Sequence, residues 1–228
     1  MILAETVDCV SIATCHHFTD NPIREQHRLR YAEVVIREGW RGVYAIDKME
    51  FDRYDTLATE YFVSRDDSGR VLGVIRSNPT TIPFMLEERF RSLIKGSLPK
   101  DSHVFEASRL VVNRRRLKTR KARAPVVDRL LVALMERGLQ RKLSSYIGFM
   151  PPNIWDSTFR RIGWEPEWLG PERRLRGYGY TVRAARIPVG ASIHKYLRKT
   201  TGLSGRTILN FGHGNGRNDS VAQQNMII

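Results

Sequence analysis

The run VFEASRLVV at residues 104–112 constrains the fold of this chain more than any other segment. Its apolar ends are typical of a central strand in a sheet. Glu106 and Arg109 nevertheless lie within it, and a charge in such a strand is costly unless it is paired or functional. We therefore expect a sheet whose central strand carries buried charges.

The remaining patterns predict strands and helices that are mixed along the chain rather than strictly alternating. This order favours an α/β fold with a mixed, mostly antiparallel sheet and helices on both faces. The predicted strands are Thr59–Ser64 and Val71–Arg76, joined as a hairpin, then Val104–Val112, Tyr146–Met150 and Gly179–Val189. The predicted helices begin at Asn21-Pro22, at Pro83, at Pro125, at Ile154 and at Ala191, and end near Gly39, Ile94, Arg141, Ile162 and Lys199. We expect one domain over residues 1–199 and a flexible tail over residues 200–228, which are rich in Gly and Asn.

The charge of the chain is divided between its two halves. The formal net charge is +14, yet residues 1–108 contain 14 Lys/Arg and 17 Asp/Glu, whereas residues 109–228 contain 24 and 7. The second half therefore presents a basic surface, which favours an anionic partner such as nucleic acid, a phosphate-bearing cofactor, anionic lipid or an acidic protein.

The cysteines and the apolar runs predict a reducing, cytoplasmic location. Cys9 and Cys15 are too close in sequence to staple a chain of this size. No run approaches the roughly 18 apolar residues of a membrane span, and the first residues lack the basic region of a secretion signal. Cys9, Cys15, His16 and His17 lack the tidy spacing of a metal site, so we expect no metal.

An acidic segment, AIDKMEFDRYD, contains Asp47, Glu50, Asp52 and Asp55. Loop carboxylates of this kind bind an ammonium or ribose hydroxyls, or orient an arginine. The alternative is a solvated acidic loop that caps nearby backbone amides.

The central strand offers a general base. Glu106 can remove a proton directly or through a water molecule. Strict alternation places Glu106 and Ser108 on one face and Arg109 on the other, so a β-bulge is needed to bring the three together. The alternative is an Arg–Glu pair that ties this strand to its neighbour.

A basic run follows the central strand, just before the helix predicted at Pro125. Arginines beside a helix N-terminus suit a phosphate. The run has no Walker glycine loop and no interleaved aromatic residues, which argues against a nucleoside triphosphate and against nucleic acid. A solvated basic loop is the alternative. Its charged residues are Arg114, Arg115, Arg116, Lys118, Arg120, Lys121 and Arg123.

In their order along the chain, several segments resemble the LuxI-type acyl-homoserine-lactone synthases. EFDRYD, then G-x-x-R, then E-x-S-R is the most specific part of this ordered set. The matching segments are RLRYAEVVIREGW (28–40), IDKMEFDRYD (46–55), VLGVIRSN (71–78), TTIPFMLEERFRSLI (80–94), VFEASRLVV (104–112), FRRIGW (159–164) and LGP (169–171).

The resemblance implies a fold and a reaction. The fold is a sandwich like that of the GNAT acyltransferases, with a twisted sheet splayed at its centre to admit a pantetheine arm. The reaction joins an acyl group, carried as a thioester on acyl carrier protein or CoA, to the α-amine of S-adenosylmethionine (SAM). The carboxylate of SAM then closes a lactone, and methylthioadenosine (MTA) is released. SAM is a substrate, and no permanently bound cofactor is implied.

The resemblance also implies roles for individual residues. Arg30 and Trp40 lie beside the SAM pocket, and Asp52 and Asp55 orient SAM and the arginines. Arg76 and Phe90 complete the substrate site, with Phe90 on a lid-like helix. Glu106 and Arg109 match the family's E-x-S-R pair, and the expected catalytic residues are Glu106 as the base, Ser108, which polarises the thioester carbonyl, and Arg109.

The chain departs from the family pattern at two places. Val34 stands where the family usually has Phe. Phe149 and Met150 lie where members that make 3-oxo signals often carry threonine, which predicts an apolar pocket for an acyl group without a 3-oxo oxygen. The basic run is expected to dock the acidic acyl carrier protein.

Two other functions fit parts of the sequence. A GNAT-like synthase of N-acyl amino acids would form an amide without a lactone. A basic nucleic-acid-binding protein would show salt-sensitive binding, but the acidic first half argues against it, and we expect neither a nucleic-acid partner nor a membrane span.

Overall fold

A computed structural model describes residues 7–11, 21–40, 43–175 and 179–208. An eight-stranded sheet runs in the order β1–β4–β5–β6–β7–β10–β8, with β9 paired to β10, and β2 and β3 form a separate two-stranded ribbon. The strands are β1 Val7–Val10, β2 Tyr44–Ile46, β3 Met49–Phe51, β4 Glu60–Arg65, β5 Val71–Pro79, β6 Val104–Val112, β7 Ser145–Met150, β8 Glu167–Trp168, β9 Arg173–Arg174 and β10 Thr181–Pro188. Every strand pair is antiparallel except β6–β7, which confirms the mixed, mostly antiparallel sheet.

Helices cover both faces of the sheet, as predicted. α3, α4 and α5 pack on one face against a large apolar core, and α1 and α2 contribute to two smaller cores on the other face. No helix in the described ranges is long and apolar enough to cross a membrane. The helices are α1 Pro22–Arg30, α2 Met85–Glu88, α3 Arg120–Gln140, α4 Pro152–Thr158 and α5 Ala191–Thr201, with a π-helix Tyr31–Arg37 and 3₁₀ turns Arg91–Leu93 and Arg160–Ile162.

The central strand β6 contains the β-bulge on which the site depends. Ser108 pairs with Arg76 and Val111 with Val74, so two residues of β6 lie opposite one residue of β5. Arg109 is at the bulge with φ +54°, a left-handed conformation that is uncommon for a side-chain-bearing residue. The bulge shifts the alternation and turns Arg109 toward the face that carries Ser108.

The sheet opens beside β6. β6 and β7 pair only from Val104–Ser145 to Glu106–Ile147, although β6 continues to Val112 and β7 to Met150. This short pairing agrees with the splayed centre that the resemblance implies.

The helices predicted to begin at Pro83 and at Pro125 differ in the structure. The helix expected over Pro83–Ile94 is replaced by α2 and a 3₁₀ turn, because the segment turns at Phe90 to bury its apolar side chains in one core. α3 begins at Arg120 rather than at Pro125, because the Thr119 hydroxyl caps it by accepting from the Ala122 amide at 3.1 Å.

The first helix is followed directly by the π-helix, at the place where Val34 replaces the family's Phe. Val34 is buried in the core between α1 and the sheet, and its carbonyl accepts from the Trp40 amide at 3.1 Å. The wider turn of a π-helix changes which side chains face the sheet. The local register before Trp40 is therefore set by backbone geometry as well as by side-chain type.

The folded region extends past residue 199, where we predicted that the domain ends. α5 continues to Thr201, and the Glu136 carboxylate accepts from the Thr207 and Ile208 amides. Ile208 is fully buried and bridges Val7. The rest of the predicted tail, residues 209–228, lies outside the described residues.

Of the cysteines and histidines considered for a metal, Cys15, His16 and His17 lie outside the described residues. Cys9 is a buried free thiol, and burial raises its pKa. No group of three potential metal ligands lies together within the described ranges.

Candidate active site

Three arginines and three carboxylates form a closed ring of ion pairs on the α1 side of the sheet. Each arginine bridges two carboxylates, and each carboxylate bridges two arginines. The members are Arg30, Arg76 and Arg109 with Glu50, Asp52 and Asp55.

The geometry of the ring is close and directional. Arg30 donates from Nη1 and Nη2 to the two oxygens of Asp55 at 2.7 and 2.9 Å, and from Nε to Glu50. Arg109 donates from Nη2 to Glu50 at 2.8 Å and to Asp52 at 2.7 Å. Arg76 completes the ring by pairing with Asp52 and, at 3.1 Å, with Asp55. Such charge-assisted bonds fix both position and orientation.

Two of the ring carboxylates, Glu50 and Asp55, are held in their charged form. Burial raises the pKa of Glu50, but the charges of Arg109 and Arg30 outweigh it and leave the pKa below its ordinary value. Burial likewise raises the pKa of Asp55, and bonding to Arg30 outweighs it, so the pKa falls far below the usual range. Both of these carboxylates therefore stay ionised between their arginines.

The three arginines of the ring come from different elements, whereas its carboxylates come from β3 and the turn that follows it. Arg30 is on α1, Arg76 on β5 and Arg109 at the bulge of β6. Glu50 is on β3, whose ribbon with β2 turns at Asp47 and Lys48, both with positive φ as in a tight hairpin turn. The acidic segment is thus not a solvated loop, because three of its four carboxylates face the ring and only Asp47 is exposed at the turn.

Neutral side chains support the ring from outside. His27 donates from Nδ1 to the Glu50 carbonyl at 2.7 Å, and Tyr61 donates its hydroxyl to Asp55 at 2.8 Å. Burial, reinforced by the charge of Arg30, lowers the pKa of His27 to about 4, so its ring is neutral at pH 7. Our sequence reasoning did not single out His27 or Tyr61, and it placed Glu50 in the acidic segment without assigning it to the site.

Glu106 is completely buried beneath α2. Its carboxylate accepts from the Leu86 amide at 2.6 Å and from the Met85 amide at 3.2 Å, at the start of that helix. Burial raises the pKa of Glu106, while nearby Arg76 and the two amides act in the opposite direction. This carboxyl binds a proton more readily than an exposed glutamate, which suits proton transfer.

Ser108 lies on the same strand and meets the ring. Its oxygen accepts from Arg76 Nε at 3.0 Å, which leaves the hydroxyl hydrogen available to donate elsewhere. Arg109, by contrast, pairs with Glu50 and Asp52 rather than with Glu106. Glu106 therefore contacts the start of α2, whereas Arg109, at the bulge, belongs to the ring.

A cavity of about 230 Å³ opens beside the ring. Of the ring, Asp52 and Arg109 reach its wall, and the Arg109 guanidinium lies over the Trp40 ring at 5.2 Å. Glu106 and Ser108 are not among the lining residues. The wall is formed by Trp40, Val43, Tyr44, Asp52, Arg53, Tyr54, Met85, Arg89, Phe90 and Arg109.

The two residues predicted to line an acyl pocket face opposite sides of β7. Phe149 packs against Phe90, with ring centroids 4.3 Å apart, in the core beside the cavity. Met150 packs against the core formed by α3 on the other face. The shared pocket that we predicted for Phe149 and Met150 is wrong, because consecutive strand residues alternate in direction.

The basic run surrounds the start of α3 and does not contribute to the cavity wall. Arg115, Arg116, Lys118, Arg120 and Lys121 are exposed. Arg114 lies 3.8 Å from Glu38, and the Arg123 guanidinium donates to the Leu117 and Lys118 carbonyls. The run is therefore a surface separate from the cavity.

Comparison with known proteins gives a consistent result. The family model described as autoinducer synthase matches residues 15–190. An acyl-homoserine-lactone synthase of Ralstonia solanacearum is 32% identical over 151 residues, which cover 65% of this chain and 74% of that protein. One from Pseudomonas aeruginosa is 36% identical over 107 residues, covering 46% and 53% of the two chains.

Solved structures agree with the sequence matches. BjaI, described as a CoA-dependent acyl-homoserine lactone synthase and solved with MTA, superposes with a TM-score of 0.79 at 25% identity over 97% of this chain and 99% of BjaI. BjaI has also been solved with SAM and isopentyl-CoA. The synthase LasI superposes with a TM-score of 0.70 at 25% identity, covering 88% and 98% of the two chains.

Proposed function

The chain belongs to the autoinducer synthase family, and on that premise we propose how its ring and cavity carry out acyl-homoserine-lactone synthesis from SAM and an acyl thioester, with release of MTA. The observation that carries the proposal is the ring of ion pairs, which opens to a cavity through Asp52 and Arg109. The predicted GNAT-like fold and the predicted family are confirmed by these matches.

Asp52 receives the ammonium group of SAM. It is the one ring carboxylate that reaches the cavity wall, so it is the acid available to a cationic substrate. Glu50 and Asp55 are more deeply buried and orient the arginines. Trp40 and Tyr44 offer aromatic faces to the adenosyl group and the sulfonium.

Glu106 acts as the general base. The α-ammonium loses a proton toward Glu106, directly or through a water molecule, and the resulting amine attacks the thioester carbonyl. Because α2 covers Glu106, we propose that the start of α2 shifts or that a water molecule relays the proton. Ser108 donates its hydroxyl hydrogen to the carbonyl oxygen as negative charge develops there.

The remaining steps balance without another reactant. The carbon–sulfur bond of the thioester breaks, and its thiolate takes up a proton as the amide forms. The α-carboxylate then attacks the γ-carbon of the same molecule, the bond from that carbon to the sulfonium breaks, and MTA leaves as a neutral thioether.

The donor reaches the site through the opening between β6 and β7. Phe90 and Phe149 flank the acyl group, and their apolar rings favour a chain without a 3-oxo oxygen. The exposed cations around the start of α3 meet the acidic surface of acyl carrier protein or the phosphates of CoA. A cytoplasmic location is part of the same proposal.

The alternatives have less support. The N-acyl amino acid synthase FeeM superposes with a TM-score of 0.50 at 10% identity. This likeness concerns the fold and does not support a shared activity. Nucleic-acid binding is not favoured, because the basic run at residues 114–123 contains no aromatic residue on which a base could stack.

Mass spectrometry of an organic extract from cells that express the chain tests the proposal. We expect an N-acyl homoserine lactone whose acyl group lacks a 3-oxo oxygen, absent from cells with the empty vector. A linear N-acyl amino acid without lactone would contradict it.

A further inference from the structure

One cation in the cavity wall has no role in the proposed reaction. Arg89 directly follows α2, is exposed and lines the cavity. Among the described residues, no carboxylate lies within ion-pair distance of it. The neighbouring Arg53 differs, because it lies 3.4 Å from Glu88.

The other cations of the cavity wall, Arg53 and Arg109, already face carboxylates. Arg109 is matched by Glu50 and Asp52 within the ring. Arg89 therefore leaves an uncompensated positive charge on the α2 side of the cavity, while Asp52 offers an acid on another part of the wall. This arrangement fits a molecule that carries both an anion and a cation.

We propose that Arg89 binds the α-carboxylate of SAM while Asp52 receives its ammonium, an inference that rests on the proposed function. A guanidinium binds a carboxylate with two parallel hydrogen bonds, which fixes orientation as well as position. Because Arg89 is partly exposed, water weakens the attraction, so the carboxylate is held without being prevented from attacking the γ-carbon later.

The same charge would suit a phosphate of the thioester donor. A SAM carboxylate and a donor phosphate are distinguished by which substrate loses affinity when Arg89 is changed. A SAM carboxylate site affects SAM and not the donor, whereas a donor site affects the donor and not SAM.

The test uses the full chain with Arg89→Gln and compares three adenosyl ligands by calorimetry. SAM carries the carboxylate, decarboxylated SAM lacks only that group, and MTA lacks the whole amino-acid portion. Lys100→Gln is the matched control, because it removes one positive charge near α2 from a residue that pairs with Glu87 and does not line the cavity.

We expect Arg89→Gln to weaken SAM binding roughly 10- to 100-fold, the range typical of a lost charge-assisted hydrogen bond. Affinities for decarboxylated SAM and MTA should remain within about twofold of the wild type, and Lys100→Gln should change none of the three. The KM for the acyl donor should not change.

Unchanged SAM binding, or an equal loss for all three ligands, would overturn the proposal, as would a higher donor KM with unaltered SAM affinity. The binding results are independent of turnover. A wild-type chain that binds SAM but releases no MTA from it would therefore contradict the proposed function rather than the role of Arg89.

Discussion

The ring of ion pairs holds Arg109 in place more than it stabilises the fold. Replacing a buried ion pair by apolar residues is often neutral or stabilising, whereas removing one partner leaves an uncompensated buried charge. The ring also fixes Arg109 at positive φ, a backbone conformation that other surroundings would not favour. Strain of this kind, next to a cavity, is consistent with a site that is organised for binding.

Glu106→Gln tests the proposed base at the level of one atom. The Gln oxygen can accept from only one of the two α2 amides, and Gln cannot take up a proton, so we expect kcat to fall roughly 10²- to 10⁴-fold in a chain that still folds. In the wild type, kcat should rise with pH as Glu106 loses its proton, at a higher pH than an exposed glutamate because burial raises its pKa.

Steady-state rates between pH 5 and 9 and circular dichroism check this prediction. Wild-type turnover in Glu106→Gln, with a normal spectrum, would remove Glu106 from the mechanism.

We expect the neutral His27 to make the stability of the folded state sensitive to acid. The folded chain keeps His27 neutral down to about pH 4, whereas the unfolded chain binds a proton below about pH 6.5. Stability contributed by this residue is therefore complete above pH 6.5 and is lost as the pH falls toward 4, by up to about 3 kcal/mol.

Urea unfolding of the wild type and of His27→Gln at pH 7.5 and 4.5 measures the effect. The wild type should lose more stability than the variant over this interval. Equal losses would show that His27 does not titrate as described.

At the scale of elements, the sequence predicted the strands and helices that a strong local pattern specifies. The β4–β5 hairpin and the charged strand β6 are confirmed because alternation and turn residues determine them locally. The β2–β3 ribbon is too short for a clear pattern, so Glu50 could not be assigned to the ring. The sequence indicated that β6 needs a bulge but did not give its position, because that position depends on how β6 pairs with β5.

The direction of side chains on β7 predicts the acyl preference. Phe149→Ala removes a ring that contacts Phe90, so longer acyl groups should gain relative to short ones. Met150→Ala is the matched control, because Met150 packs on the other face and its loss should lower stability without changing preference.

Competition between short and long acyl thioesters, read by mass spectrometry, checks this pair. The same shift in both variants would contradict an acyl site beside Phe149.

The basic run predicts where the donor docks. Arg115→Glu with Lys118→Glu should raise the KM for acyl carrier protein several-fold and leave the KM for SAM nearly unchanged. Arg173→Glu with Arg174→Glu, on exposed β9, makes the same change of charge elsewhere and serves as control.

Initial rates with each substrate varied in turn give the two constants. If SAM and donor were affected equally, or if the β9 variant behaved like the loop variant, the docking role would be refuted.

For the whole molecule, the division of charge has a more specific meaning than the sequence suggested. The acids of the first half at the site do not form an anionic surface, because arginines from both halves neutralise them. The excess positive charge lies instead on the second half, including the start of α3, away from the cavity. The two substrates are therefore proposed to meet different surfaces that converge where β6 and β7 separate.

Release of MTA by the purified protein tests the central claim most directly. With SAM and a series of acyl thioesters on CoA and on acyl carrier protein, we predict MTA and lactone in equal amounts, and negligible MTA when either substrate is omitted. Amide formation without MTA, or no product from any donor by a folded chain that binds SAM, would contradict the account.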